Sequence, residues 1–288
     1  MIIRSVTPTT RFLAAIFVFA FGYVLFSSNA FAQRIAISTP KQNAQNDAIA
    51  QELSTAFGSR AVDLALADSA YRSGNFEDPF NLTTTEGKHI GAVIGCNGFV
   101  MIKAETLRRT SSAKSVYFES YVAIFAVASR TGHLAFWKLV TAEDNSQERA
   151  EKSLLDDLRR ISSDLASEIN DAIGKDAAAP DNGFEEMPAE GSREAKNFRP
   201  PVPYLRIKPE YTSRAYLYDA KGTVEIQVDL DDKGNIVATE IKRWVGFGLE
   251  DSVTQAVRKM NWRPGERDGK PLPTRFLLRY NFKKIDKE

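Results

Sequence analysis

The sequence predicts an α+β fold with two domains, a mixed α/β domain over residues 33–173 and a β-β-α-β domain over residues 204–288. Two patterns predict this architecture. Residues 154–173 place apolar side chains at spacings of three and four, which is typical of one buried face of a long helix. Residues 222–230 alternate apolar and polar side chains without interruption, which is typical of a half-buried antiparallel strand. With 288 residues, the chain has room for about two domains.

The composition is that of a globular protein and excludes several kinds of site. Hydrophobic residues make up 43% and charged residues 26%, which excludes a chain disordered throughout. The 38 basic and 37 acidic residues give a net charge of +1, so the bulk charge favours neither nucleic acid nor an anionic membrane. One cysteine excludes an intramolecular disulfide and a cysteine-based zinc cluster, and two histidines leave little material for other metal sites. We therefore expect no metal and no cofactor.

Residues 1–32 have the pattern of an export signal. Arg4 and Arg11 precede an uncharged, largely apolar run at 12–26, and Ala30 to Ala32 supplies a small-residue cleavage site. This order predicts a secretory signal peptide cleaved after Ala32. An uncleaved membrane anchor is the alternative, because the 21 residues at 12–32 are long enough to span a bilayer.

The N-terminal domain has the predicted element order β-α-β-α-β-β-β-α. Residues 130–132 (Arg-Thr-Gly) predict a hairpin turn between its last two strands. The predicted elements are a strand at 35–37, a helix through 49–57 capped by Asn46 or Asp47, a strand at 62–66, a helix near 83–93, strands at 99–106, 115–128 and 134–140, and a helix from Ser146 to about Ile173.

This element order is similar to the small α/β domain at the start of TolB-type periplasmic proteins and of some outer-membrane assembly lipoproteins. The stretch from Gly91 to Gly98 before the strands and the Arg130–Leu134 turn belong to the resemblance. The resemblance implies a domain that binds protein partners in the cell envelope.

Residues 174–203 differ in composition from both domains and are predicted to be a linker. They hold five of the twelve prolines, an alanine triplet and scattered acidic residues, without a sustained apolar period. Such a segment buries too little surface to offset the entropy of ordering its backbone. As a flexible coil it would span about 30 Å, and fully stretched about 100 Å.

The C-terminal domain carries the strongest pattern. After the alternating strand at 222–230, residues 231–235 form a tight turn in which Gly234 can adopt positive φ. A partner strand follows at 236–243, and a final strand is predicted at 274–282. Between them lies a helical stripe made of Leu249, Val253, Ala256, Val257 and Met260.

These residues resemble the C-terminal domain of the TonB family of energy transducers. The resemblance implies that the domain grips an extended segment of an outer-membrane receptor by β-strand addition, with the last strand as the docking edge. The matching features are Pro209 and Tyr211 with Ala215, Gly222 and Val224 at the strand start, the Asp232–Gly234 turn, Leu249, Trp262 with Pro264, the Asp268–Pro271 turn and Phe282.

Carried onto this sequence, the resemblance places the partner-binding site on the last strand. By parity, Arg275 and Arg279 share one face of it, and the even-numbered residues from Phe276 to Phe282 form the other face, which is expected to be core. An alternative role for these two arginines is to protect an exposed edge from aggregation. The implied partner is an envelope protein with such a receptor segment, and sheet edges could also pair two copies as a homodimer. The full set is Arg275, Phe276, Leu277, Leu278, Arg279, Tyr280, Asn281 and Phe282.

Three departures separate this chain from a complete energy transducer. No histidine lies in residues 1–32, where the family's membrane helix carries a functional one. Trp244-Val245-Gly246 stands where the family often has Ser-Ser-Gly, and Thr212 replaces a proline. We therefore predict a non-enzymatic, exported, periplasmic binding protein. The alternative is an inner-membrane-anchored transducer driving outer-membrane receptor transport, which would contact the membrane through residues 12–32.

A second alternative is an enzyme of the N-terminal domain. Cys96 and His89 are its candidates, although spacing alone cannot show that they meet, and we expect Cys96 to be a buried, inert thiol. His133 is expected to be a polar turn residue. Adjacent acids at 156–157 and 185–186 are not expected to share a proton, because neighbouring helix residues do not face each other.

Overall fold

The computed structural model describes residues 33–74, 76, 78–112, 115–178 and 183–284. The predicted signal peptide or membrane anchor at residues 1–32 lies outside this part of the chain. Within the described residues, no helix has both the length and the apolar character needed to cross a bilayer.

A four-stranded sheet forms the centre of the N-terminal domain. Its strands are β1 (Ile35–Ser38), β2 (Gly98–Arg109), β3 (Tyr117–Ala128) and β4 (Leu134–Asp144), in that spatial order. β1 runs parallel to β2, and the other two pairs are antiparallel. The four strands confirm the predictions for these segments.

Helices cover both faces of this sheet. Ile35 and Ile37 of β1 belong to a core formed with the first and last helices, whereas Ala36 belongs to a second core on the opposite face. This split follows from the alternation of side chains along a strand. The helices are α1 (Ala44–Phe57), followed by a 3₁₀ turn at Gly58–Arg60, α2 (Leu64–Ser73), α3 (Thr84–Ile94) and α4 (Gln147–Lys175).

Two local predictions in this domain are wrong. Residues 62–66 do not form a strand, because the Asp63 side chain accepts a hydrogen bond from the Leu66 N–H (3.0 Å) and so caps the start of α2. The cap of α1 is Asn43, since its side chain accepts from the Asn46 N–H at 2.7 Å. The side chain of Asn46 is itself buried and accepts from the Ala104 N–H of β2 at 2.9 Å.

The C-terminal domain confirms the β-β-α-β prediction and adds short elements to it. Strand β8 (Gly222–Leu230) lies between β9 (Ile236–Arg243) and β13 (Thr274–Phe282), antiparallel to both. Helix α6 (Leu249–Arg258) covers one face with its predicted apolar stripe. The short elements are α5 (Ser213–Leu217), β10 (Trp262–Arg263), β11 (Gly265–Arg267) and β12 (Lys270–Leu272).

The segment predicted as a linker is in part paired with the C-terminal domain. It contributes β5 (Glu185–Glu186), β6 (Phe198–Arg199) and β7 (Val202–Pro203). These strands pair with β13, β11 and β10 respectively. The described part of this segment is therefore not a free coil, because the C-terminal domain offers hydrogen-bonding edges that its composition could not reveal.

The two domains share one apolar core. Phe99, Tyr121 and Phe125 of the first domain belong to the same buried cluster as Val228 and Trp244 of the second. Residues 33–288 accordingly form a single compact unit. The C-terminal sheet is thus held in a fixed orientation by the N-terminal domain.

Candidate functional site

The outer edge of β13 is the candidate site. The strand order in the C-terminal sheet is β5-β13-β8-β9, so one side of β13 is fully paired with β8. On its other side, among the described residues, only the two residues of β5 pair with it, at Thr274 and Arg275. Most of the predicted docking edge therefore lacks a partner strand in the described chain.

The hydrogen-bonding pattern fixes which residues of β13 face this open side. The carbonyl oxygens of Pro273 and Arg275 accept from the N–H groups of Glu185 (3.1 Å) and Met187 (2.8 Å). In an antiparallel pair, successive residues direct their backbone groups to opposite sides. Since the register with β8 is regular from Thr274 to Phe282, the backbone groups of Leu277, Arg279 and Asn281 also point outward.

The side chains of the even-numbered residues of β13 face the core, as predicted. Phe276 and Phe282 are buried, and Leu278 and Tyr280 pack against the shared core. The eight predicted site residues thus divide into two functional groups. The side chains of the even-numbered residues pack on the domain, and the backbone groups of the odd-numbered residues point away from β8.

A groove of about 490 Å³ runs beside this edge. Its lining is apolar apart from its charged residues, which are all basic in the described chain: Arg206, Lys208 and Arg279. The apolar lining includes Met187, Pro203, Ile207, Met260, Trp262, Leu277 and Leu278. The groove suits an extended segment that combines apolar and acidic side chains.

Arg275 and Arg279 share a face of the strand, as predicted, but their environments differ. The Arg275 guanidinium donates to both carboxylate oxygens of Asp229 on β8, at 2.8 and 2.9 Å, and Asp229 is buried while the Arg275 side chain is only 13% exposed. Arg279 Nε lies 2.7 Å from a Glu225 oxygen, and its side chain is 69% exposed. Arg275 is therefore part of the sheet's structure, whereas Arg279 carries charge at the open edge.

The N-terminal domain contacts the opposite edge of the sheet, mainly at the end of β9. The end of β9 forms a bridge with Thr83, and Arg243 Nη1 donates to the Asn81 carbonyl at 3.0 Å. The Asn81 amide donates to the carbonyls of Thr223 and Trp244, both at 2.8 Å, and its oxygen accepts from the Thr223 N–H at 3.0 Å. One buried side chain thus joins β8, β9 and the first domain.

The departure at residues 244–246 is the centre of this junction. The fully buried Trp244 ring stacks on Phe125 with 5.9 Å between ring centroids. Gly246 has φ of 82°, and a Cβ there would lie 2.6 Å from the Phe125 ring and 2.7 Å from the Trp137 indole nitrogen. Only glycine fits both the conformation and the space.

The Glu250 side chain of α6 also holds the loop that contains this departure. The Glu250 carboxylate accepts from the N–H groups of Val245 (2.6 Å) and Gly246 (2.8 Å), and its burial raises the pKa of Glu250. Phe247, the next residue, packs on Trp137 with 5.2 Å between ring centroids. Residues 244–246, which depart from the family pattern, therefore lie in the contact between the two domains.

His133 has a second role that sequence reasoning missed. Its Nδ1 lies 2.9 Å from Asp176 and its Nε2 lies 2.8 Å from Glu240 of β9. The hydrogen bond to Glu240 raises the pKa of His133, and the same contact lowers the pKa of Glu240 to about 2. These partners are 43 and 107 residues away in the chain, so no local pattern could have indicated them.

The catalytic candidates do not assemble into a nucleophile and base. Cys96 Sγ lies 3.5 Å from Ser129 Oγ and 3.9 Å from the Gly91 carbonyl, while His89 is exposed on α3. Burial raises the pKa of the Cys96 thiol, which opposes formation of the reactive thiolate. Within the described residues, no group of three histidine, cysteine or acidic side chains is arranged to hold a metal ion.

No curated protein matches the chain. Solved structures with low similarity include the hypothetical protein CT253 from Chlamydia trachomatis, at 8% identity and a TM-score of 0.33, covering 50% of this chain and 100% of that one. The lipoprotein GNA1162 from Neisseria meningitidis has 11% identity and a TM-score of 0.32, covering 46% of this chain and 99% of that one. The resemblance of residues 33–173 to TolB-type domains stays a prediction.

The family comparison concerns the C-terminal domain. Residues 207–283 match the family model described as the Gram-negative bacterial TonB protein C-terminal. The matched range covers α5, β8, β9, α6 and the whole of β13, and so includes every residue of the candidate edge. The predicted resemblance of this domain to the TonB family is therefore confirmed.

Proposed function

We propose that the chain is a non-enzymatic envelope protein that binds an extended segment of a partner as an additional strand beside β13. The observation that carries this proposal is the open edge formed by Leu277, Arg279 and Asn281. Each of these residues directs an N–H and a C=O away from the sheet. Main-chain hydrogen bonds of this kind supply affinity in strand addition, and adjacent pockets supply selectivity.

The groove beside the edge supports one class of partner. Its basic residues, Arg206, Lys208 and Arg279, favour acidic side chains, and its apolar lining favours alternate apolar ones. The domain's family supports an outer-membrane receptor as the source of this segment. The partner we propose is therefore an extended, acidic and apolar segment of an outer-membrane receptor.

A role in recognition rather than catalysis is supported by the state of Cys96. The raised pKa of its buried thiol keeps it protonated at neutral pH, so it is a poor nucleophile. His89, its candidate base, is exposed on α3, and the Cys96 thiol contacts Ser129 and the Gly91 carbonyl instead. The working groups of the proposed site are backbone amides and carbonyls instead.

The test uses a proline that removes one outward N–H from the edge. Leu277→Pro deletes a donor that faces away from β8, and an edge strand tolerates proline at such a position. Leu277→Ala keeps the N–H and is the matched control. A photocross-linking amino acid at Asn281, in cells of the native host, reports the partner. We expect Leu277→Pro to reduce cross-linking about tenfold, because it removes one hydrogen bond and distorts the bonds beside it. We expect Leu277→Ala to retain cross-linking.

The identity of the cross-linked peptide decides the outcome. A single extended segment of an outer-membrane receptor supports the proposal. Cross-linking that persists in folded Leu277→Pro protein contradicts strand addition at this edge. A product that contains two copies of this chain would show that the strand beside β13 comes from a second copy and not from a receptor.

The same cells test the location. We propose that residues 1–32 are removed on export and that the protein acts in the periplasm. N-terminal sequencing should then begin at Gln33 in protein released with the periplasmic fraction. An intact N-terminus in the inner-membrane fraction would support the anchored energy transducer instead.

A further inference from the structure

The near end of the docking edge already holds a strand from the chain itself. β5 runs parallel to β13. The N–H groups of Glu185 and Met187 donate hydrogen bonds to the carbonyls of Pro273 and Arg275, respectively. Pro273 and Arg275 have the same outward orientation as Leu277, Arg279 and Asn281. β5 therefore uses the same row of backbone groups that a partner strand would use.

Side chains of this segment match the chemistry of the edge. Glu185 accepts from Arg267 Nε at 2.8 Å, and the Phe184 ring lies 5.6 Å from the Arg275 guanidinium. Glu186 lies 3.8 Å from Arg275, and Met187 lines the groove beside Leu277. The segment thus presents the acidic and apolar character that the groove suits.

The attachment of β5 is short. Among the described residues of this segment, two pair with β13, the Glu186 side chain is 73% exposed, and Met187 is 41% exposed. The chain then turns away after Pro188, where the Ser192 N–H donates to the Ala189 carbonyl at 3.0 Å. An extended partner longer than three outward residues would collide with this segment.

We infer that residues 183–187 are a built-in occupant of the docking edge, which a partner strand must displace to pair along all of β13. This inference rests on the proposed function. A segment tethered in the same chain competes at high effective concentration, although its intrinsic affinity is low. The apparent affinity for a partner is then reduced by the fraction of molecules in which the segment is bound.

The test removes the two N–H donors of β5 without changing the chain length. The double variant Glu185→Pro with Met187→Pro loses both bonds to β13. Glu186→Pro is the matched control, because the N–H between two bonded donors points away from the partner strand. Glu185→Ala is a second variant, which loosens the Arg267 contact without proline. Thermal unfolding verifies that each variant folds.

Two readouts separate this inference from the proposed function. The first is binding of a dye-labelled, capped peptide with the sequence of residues 183–188 (Gly-Phe-Glu-Glu-Met-Pro), followed by fluorescence anisotropy. The second is cross-linking from Asn281 in cells. We expect the double variant to bind the peptide and to increase partner cross-linking about three- to tenfold, Glu185→Ala to show a smaller increase, and Glu186→Pro to resemble the unmodified protein.

Each outcome has a defined meaning. Equal partner cross-linking in the double variant and the unmodified protein overturns the inference while the docking edge stands. Peptide binding confined to the double variant, with no receptor cross-link in any variant, supports the built-in occupant and contradicts the proposed partner. Peptide binding by none of the folded variants overturns the inference.

Discussion

The two outer strands of the C-terminal sheet, β9 and β13, differ in the segments that contact them. At β9, the N-terminal domain supplies Thr83, Asn81 and His133, all in contact with the strand or its neighbours. At β13, the described chain supplies only the two-residue strand β5. An isolated sheet of this kind would have two edges open to pairing. The first domain contacts the β9 edge at its end and through Glu240, whereas a groove with apolar and basic lining lies beside the β13 edge.

The junction at the end of β9 depends on large aromatic contacts, and the β13 edge depends on backbone geometry. This difference predicts where stability and binding reside. Substitutions at the junction with the N-terminal domain should mainly change the free energy of unfolding. Substitutions at the open edge should mainly change partner capture, as proposed for Leu277. Three further predictions, in order of expected effect, test this division.

Trp244→Ala should cause the largest loss of stability. The ring is fully buried and stacks on Phe125, so its removal leaves a cavity between the domains. Truncation of a buried aromatic side chain costs about 3–5 kcal/mol. Urea unfolding measures the loss. Tyr204→Ala is the control, because that side chain is 75% exposed, and it should stay within about 0.5 kcal/mol of the unmodified protein. A loss below about 1 kcal/mol for Trp244→Ala would show that the aromatic junction does not hold the domains together.

Arg275→Ala and Arg279→Ala should differ in stability although the two residues share a strand face. Removing Arg275 leaves the buried Asp229 carboxylate without its bidentate partner, which costs about 3 kcal/mol. Arg279 is largely exposed, and the loss of its ion pair with Glu225 should cost about 1 kcal/mol or less. Chemical unfolding of both variants measures the difference. Equal losses would contradict the assignment of Arg275 to the sheet and Arg279 to the edge.

Protonation of His133 should stabilise the contact between β9 and the N-terminal domain at low pH. Its pKa is raised in the folded state, chiefly by the hydrogen bond to Glu240, with Asp176 on its other side and Lys242 beside Glu240. The stabilisation is fully present below the unfolded pKa of about 6.5 and is lost as the pH rises through the higher folded value.

The comparison of unmodified protein with His133→Gln tests this contribution. Their difference in unfolding free energy should be larger at about pH 5.5 than at about pH 8.5. Glu240 is ionised across this range in both states, because its pKa is about 2 in the folded protein and its ordinary value of 4.5 is also below the range, so it does not reverse the trend. His89→Gln, which replaces an exposed histidine, is the matched control. A difference that does not depend on pH would mean that the His133 contact is not an ionic one.

Much of the candidate site could be predicted from the sequence, because its signals are local. The alternation at 222–230 specified a strand and its buried face, and the parity of 274–282 separated Phe276 and Phe282 from Arg275 and Arg279. The same kind of signal failed at 62–66. Three alternating residues cannot be distinguished from the start of a helix when Asp63 is able to cap it.

The sequence by itself determined the elements of the TonB-type domain and the faces of its strands, because side-chain periods and turn residues act over a few positions. The tertiary structure decided what contacts each edge of that sheet. Trp244, Gly246 and His133 acquire their roles only when residues far apart in the chain meet. β5 likewise acquires a partner only because β13 presents free carbonyls to it. Contacts between distant segments depend on packing, and local patterns carry no record of them.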